Sequence, residues 1–121
     1  MAVDEGLVAW VSEALEPLGT VTMRRMMGGA VLYLDGSVFA LVDDGELWIK
    51  ADAESNAIWD AAGHTDRFTI SFKDGSVDQM NYRRAPSEAY DDPDALREWA
   101  SLGIAAGLRA PKKKPKTKKK G

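Results

Sequence analysis

A chain of 121 residues, 45% apolar and 29% charged, has the size and composition of one globular domain with its own core. It has no cysteine, which excludes disulfides and thiolate metal sites, and no apolar run near the roughly 18 residues that a membrane helix requires. The net charge of −3 hides two unlike parts: residues 111–121, PKKKPKTKKKG, hold seven lysines, and without them nine basic residues face 19 acidic ones, a net of −10.

The N-terminus, MAVDEGLVAW, lacks the basic start of a secretory signal, so a cytoplasmic protein is expected. Residues 4–18 read as an amphipathic helix with Leu7, Val11, Ala14, Leu15 and Leu18 on one face, and Pro17 and Gly19 ending it. Val21–Met27 reads as a strand. Gly28-Gly29 is followed by another strand and not by a helix, so it reads as a tight turn or bulge and not as a phosphate loop.

Met26–Asp52 then reads as a meander. Asp35-Gly36 is a two-residue hairpin signal, and Asp43-Asp44-Gly45 turns the chain again. A regular hairpin pairs Leu34 with Ser37, Leu32 with Phe39 and Ala30 with Leu41. The core face is then Leu32, Phe39, Leu41, Leu47 and Ile49. The other face carries Val31, Tyr33, Val38, Ala40, Val42, Trp48 and Lys50. It is too apolar for a wet face, so something covers it: a second subunit or another protein, or else the terminal helix or the first strand. On the first alternative, Val31, Tyr33, Val38, Val42, Trp48 and Lys50 are the candidate partner-binding residues, and a homodimer through this side is one form of it.

Asp52 is placed to cap a short helix over Ala53–Ala62, with Ile58, Trp59 and Ala62 inward and Gly63 at its C′ position. His64, the only histidine, has no neighbouring ligands and reads as a surface or loop-packing residue. Phe68, Ile70 and Phe72 alternate as a half-buried strand. Asp74-Gly75 turns into Ser76–Tyr82, where either a bulge near Val77–Gln79 or a longer loop is needed to reconcile the facing of Val77, Met80 and Tyr82. Pro86–Tyr90 reads as one helical turn. Asp92-Pro93 starts a last helix reaching about Ala110, with Leu96, Trp99, Ala100, Gly103, Ile104 and Gly107 on one face. The order α-β(4)-α-β(2)-α predicts an α+β domain over 1–110, helices packed in two layers with an antiparallel sheet, followed by a disordered lysine-rich tail, 111–121.

The run MMGGAVLYLDGSVFALVDDGELWIKAD, then Met80 and Tyr82, then Pro86 and DDPDALREW, resembles the N-terminal domain of the TfoX/Sxy family. The family pattern falls on Arg25, Met26, Gly28, Gly29, Tyr33, Asp35, Gly36, Phe39, Ala40, Leu41, Trp48, Lys50, Ala51, Asp52, Met80, Tyr82, Pro86, Asp91, Asp92, Pro93, Leu96 and Trp99. Met27, Ala30-Val31 and Ser87 depart from it modestly. The larger departure is that full-length competence regulators carry a second, helical domain where this chain has a lysine tail. The resemblance implies a two-layer fold similar to secretion chaperones, protein–protein contact in place of catalysis, and a link to transcriptional control of competence.

Chemistry is not visible. No nucleophile–base–orienter set is present, and Asp43, Asp44, Asp91 and Asp92 sit at turns and caps, so no enzyme, cofactor or metal site is expected. An anion pocket built from Tyr33, Trp48, Lys50 and Arg24 or Arg25 is the weaker enzymatic alternative. The other alternative is sequence-independent nucleic-acid binding through Lys112, Lys113, Lys114, Lys116, Lys118, Lys119 and Lys120. These could neutralise phosphates but lack the aromatic and arginine groups that read bases.

Overall fold

Both turns of the central meander are two-residue loops with positive φ at each position: 49° and 89° at Asp35-Gly36, and 53° and 77° at Asp44-Gly45. That backbone matches the right-handed twist of the flanking strands, so the turns pin three strands in sequence. The computed structural model describes residues 5–26 and 29–110. Expectations placed on Met27, Gly28, the Met26 side chain and the seven tail lysines lie outside the described residues.

Helix α1 spans Glu5–Ala14, followed by β1 (Val21–Met26), β2 (Gly29–Leu34), β3 (Ser37–Asp43), β4 (Glu46–Lys50), α2 (Asn56–Ala61), β5 (Arg67–Ser71) and β6 (Val77–Arg84). A single 3-10 turn over Ser87–Tyr90 leads into α3, Pro93–Arg109. The sheet is antiparallel with order β1-β2-β3-β4-β6-β5. This is the α+β fold, and the element order is the one expected.

Helices α1 and α3 cover one side of the sheet, where Leu7, Val11, Leu15, Leu32, Phe39, Leu47, Ile49, Trp59 and Leu96 form the main core. Leu18 lies past the end of α1 and is 43% exposed, so it does not extend the buried stripe as expected. Asp92 caps α3 by accepting hydrogen bonds from the backbone N–H groups of Asp94 (3.0 Å) and Ala95 (3.4 Å), with Pro93 at the first helical position. Small residues let α3 lie almost on the sheet backbone. A Cβ on Gly107 would stand 2.1 Å from the Val38 carbonyl oxygen, and one on Gly103 2.6 Å from that of Phe39.

The β2–β3 register departs from the regular pairing. Tyr33 pairs with Val38, but Leu32 pairs with Ala40 and Ala30 with Val42, leaving Phe39 as one extra residue in β3. Beyond that bulge every side chain changes side. Leu41, expected in the core, lies on the opposite face, and Ala40 and Val42 join the core.

One further local reading is corrected, and of the two alternatives for the last hairpin the longer loop is the one found. α2 begins at Asn56, and Asp52 caps the turn before it. The Asp52 carboxylate accepts from Ser55 N–H, and the Ser55 hydroxyl accepts from Asp52 N–H, each at 3.0 Å. Only Trp59 of this helix is buried, since Ile58 is 50% exposed and Ala62 is also exposed. Gly63 does end it, with His64 N–H bonded to the Trp59 carbonyl at 2.9 Å and φ 86° at the glycine. In the last hairpin, Phe72 N–H bonds to the Ser76 carbonyl (2.9 Å), so the loop has three residues, Lys73–Gly75. The irregularity in β6 lies between Met80 and Arg83, not near Val77.

Candidate partner-binding site

The second face of the sheet is built by strand alternation. Val31 and Tyr33 of β2, Val38 and Leu41 of β3, Trp48 and Lys50 of β4, and Met80, Tyr82 and Arg84 of β6 project to the side opposite the helices. The structure thus brings together five of the six sequence-predicted candidates: Val31, Tyr33, Val38, Trp48 and Lys50. Val42 is removed from the set, because the Phe39 bulge turns it into the core, where it is 2% exposed.

Among the described residues, the cover over this face is neither a helix nor β1. It is the chain's own β5–β6 hairpin. Phe68 meets Trp48 edge-on with ring centroids 5.5 Å apart, and Val31, Leu41, Trp48 and Tyr82 form a second buried cluster flanked by half-buried Tyr33, Val38, Phe68 and Met80. Residues of β5 and of the β2–β3 end line one groove although β4 and β6 lie between them in sheet order, so the sheet is strongly curved. The groove has a volume of about 340 Å³ and is walled by Gly29, Ala30, Val31, Leu41, Val42, Asp43, Phe68, Thr69, Ile70, Ser71, Met80 and Tyr82.

Cations rim the aromatic part of the face. The Arg84 guanidinium sits 4.8 Å from the Trp48 ring centroid while bonding Glu46 at 2.8 Å, and Lys50 Nζ sits 5.3 Å from the Tyr82 ring. Burial pushes the Tyr82 hydroxyl above its ordinary pKa, with nearby Tyr33 adding to the shift, so it remains a neutral phenol in this apolar setting. Arg24 pairs with Val31 and shares its face, whereas Arg25 turns to the α1 side and bonds Glu5 at 3.0 Å. Of the residues considered for an anion pocket, Arg25 is therefore excluded, and Trp48 is largely covered.

The remaining motif residues have structural work. Gly29 lies where a Cβ would stand 2.3 Å from the Val42 carbonyl oxygen. Asp35, beyond its turn, accepts from Thr20 N–H at 3.0 Å, while its own N–H reaches the Thr20 carbonyl at 2.9 Å. Asp52 is gripped by Arg109, Pro86 precedes the 3-10 turn, and Trp99 stacks at 4.8 Å on Trp59 with His64 5.3 Å away.

Sequence reading missed Arg83. Its side chain is fully buried and donates to Asp60 Oδ1 (2.8 Å), the His64 carbonyl (2.9 Å), Asn56 Oδ1 (2.9 Å) and Asn81 Oδ1 (3.0 Å), tying α2 and its C-terminal loop to β6. The only signal available was the Asn81-x-Arg83 spacing, which places both on one face of a strand. Phe68 and Arg84 were likewise not assigned to the second face.

Among the described residues no helix is long and apolar enough to cross a membrane, and no cluster of three His, Cys, Asp or Glu side chains is placed to hold a metal ion. The sequence pattern of the TfoX N-terminal domain matches residues 13–107. Protein Sxy of Escherichia coli (strain K12) is 30% identical over 97 residues, covering 80% of this chain and 46% of that protein, so the chain spans about half the length of this relative. The match runs from within α1 almost to the end of α3, and on it the chain belongs to the TfoX N-terminal domain family.

Proposed function

We propose that the chain is a non-enzymatic regulatory adaptor that works by gripping another protein with the open part of its second sheet face, in the manner of a competence regulator acting on transcription. The observation that carries this reading is the half-buried strip of Tyr33, Val38 and Lys50 beside the apolar groove, an aromatic and cationic surface set against a covered apolar floor. Interface centres favour such side chains because they supply large contact area with few rotamers to freeze. Family membership supports the regulatory part of the reading.

Capture of partners from the native cytosol tests it, comparing the intact chain with Tyr33→Glu and Val38→Glu. Both positions are half-buried, so circular dichroism should show the fold retained. Loss of the captured protein with either variant is expected. Equal capture by wild type and both variants would remove this face from the reading. Sedimentation at high micromolar concentration decides whether the partner is a second copy.

A further inference from the structure

We infer that the groove receives an extended, apolar-and-basic peptide segment of a partner, which adds to β5 as a seventh strand. This deepens the adaptor reading above and rests on it. Only alternate side chains of a strand can face one side, yet four consecutive β5 residues, Phe68–Ser71, line the groove, so main chain forms part of the wall, and β5 is an edge of the sheet.

That edge is open. β5 is terminal in the sheet and pairs with β6 alone among the described residues. The Phe72 N–H points inward to the Ser76 carbonyl, so by alternation Ile70 also bonds β6 while the N–H and C=O groups of Thr69 and Ser71 point outward. The strand carries no proline or lysine to discourage pairing, and its one charged residue, Arg67, stands at its start. The other edge differs: β1 holds Arg24 and Arg25, the latter bonded to Glu5 of α1. An apolar groove walled by unpaired main-chain groups calls for an occupant that brings both apolar side chains and a main chain of its own.

Charge selects the kind of peptide. Among the residues lining the groove Asp43 alone is charged, with Lys50 and Arg84 standing at the aromatic part of the face outside it, and the domain without the tail carries a net −10, so the groove itself favours a basic segment. Alternating apolar and basic residues would place the first in the groove and the second toward solvent.

The probe is the capped octapeptide Val-Lys-Val-Lys-Val-Lys-Val-Lys, titrated into the full chain and followed by calorimetry and amide resonances. Its control has the same side chains but is N-methylated at every second residue on the edge facing β5, so the charges and side chains are kept while the main-chain donors on that edge are replaced by methyl groups. Saturable binding is expected, with the Thr69 and Ser71 amides shifted and protected, and at least tenfold weaker binding for the methylated peptide. Thr69→Pro should weaken binding at least tenfold as well, since it deletes an outward N–H that the hairpin does not use, whereas Thr69→Ala should not. The methylated control needs no variant, so a misfolded Thr69→Pro leaves the test standing. Equal binding of both peptides, no saturable binding, self-association of the chain through β5, or a groove filled only by small apolar molecules would overturn the inference. The adaptor reading would survive that result if Tyr33→Glu still lost its captured protein.

Discussion

Arg109, the last residue of α3, closes a two-pronged ion pair on Asp52, 57 positions earlier: Nε to Oδ2 at 2.7 Å and Nη2 to Oδ1 at 2.8 Å. The pair ties the final helical turn to the segment leaving β4, and Asp52 also caps the turn before α2 through Ser55. One carboxylate thus joins three elements.

A pH dependence follows. The Arg109 side chain beside it, together with the Ser55 hydrogen bonds, lowers the Asp52 pKa from 3.8 to about 2. A carboxyl whose folded pKa is depressed contributes stability that is fully present above its unfolded value and is lost as pH falls toward the folded value. Thermal melts between pH 5 and 2 should show this loss in the wild type, and Asp52→Asn should flatten that part of the curve. An unchanged slope in Asp52→Asn would contradict the assignment.

Arg83→Met should destabilise the chain by about 2–3 kcal/mol, because it takes the charged donor from the Asn81 side-chain oxygen, the His64 carbonyl and Asp60 in a part-buried site, and leaves Asn56 Oδ1 with only the Asn81 amide. Arg83→Lys should recover little, since one ammonium cannot match a planar fork with four acceptors. Urea denaturation measures both.

Gly107→Ala should cost about 1–3 kcal/mol even though alanine is the better helix former by about 1 kcal/mol. The added methyl meets a backbone carbonyl, not a side chain that can swing away, so α3 must lift off β3. Gly103→Ala is expected to behave likewise, with Ile49 crowded as well as the Phe39 carbonyl. A gain in melting temperature for either would contradict the close approach.

Leu47 and Tyr33 should separate cleanly. Leu47→Ala is expected to lower stability by about 3 kcal/mol and leave partner capture intact, since its side chain is in the helix-side core and away from the groove. Tyr33→Ser should cost under about 1 kcal/mol and reduce capture.

The tail offers a separate test. A gel shift at low salt, comparing the full chain with one truncated after Ala110, reads whether the seven lysines confer duplex affinity. Salt-sensitive binding by the full chain alone supports that second role, and equal negligible affinity for both excludes it.

Much of the fold was legible because its punctuation is local. Asp35-Gly36, Asp92-Pro93 and Gly63 each act within a few residues through backbone angles or caps, and all three stand where expected. What could not be read was long-range. The Phe39 bulge lies where β3 passes under α3, and no neighbouring residue announces it. Arg83 looks like any surface arginine in a polar strand until α2 folds across it. The cover of the second face was undecidable from periodicity, because curvature, not sequence spacing, carries β5 to the far side of the groove.

The surplus residue in β3 also acts as a phase marker for relatives of this domain. A sequence one residue shorter between Asp35 and Asp43 would keep Ala40 and Val42 inward only by closing the bulge at Phe39, at the loss of that core side chain and with the turn left unchanged. Alignments should therefore place such a gap within the strand, and a gap placed at the hairpin tip would interchange the two faces of the sheet for half a strand.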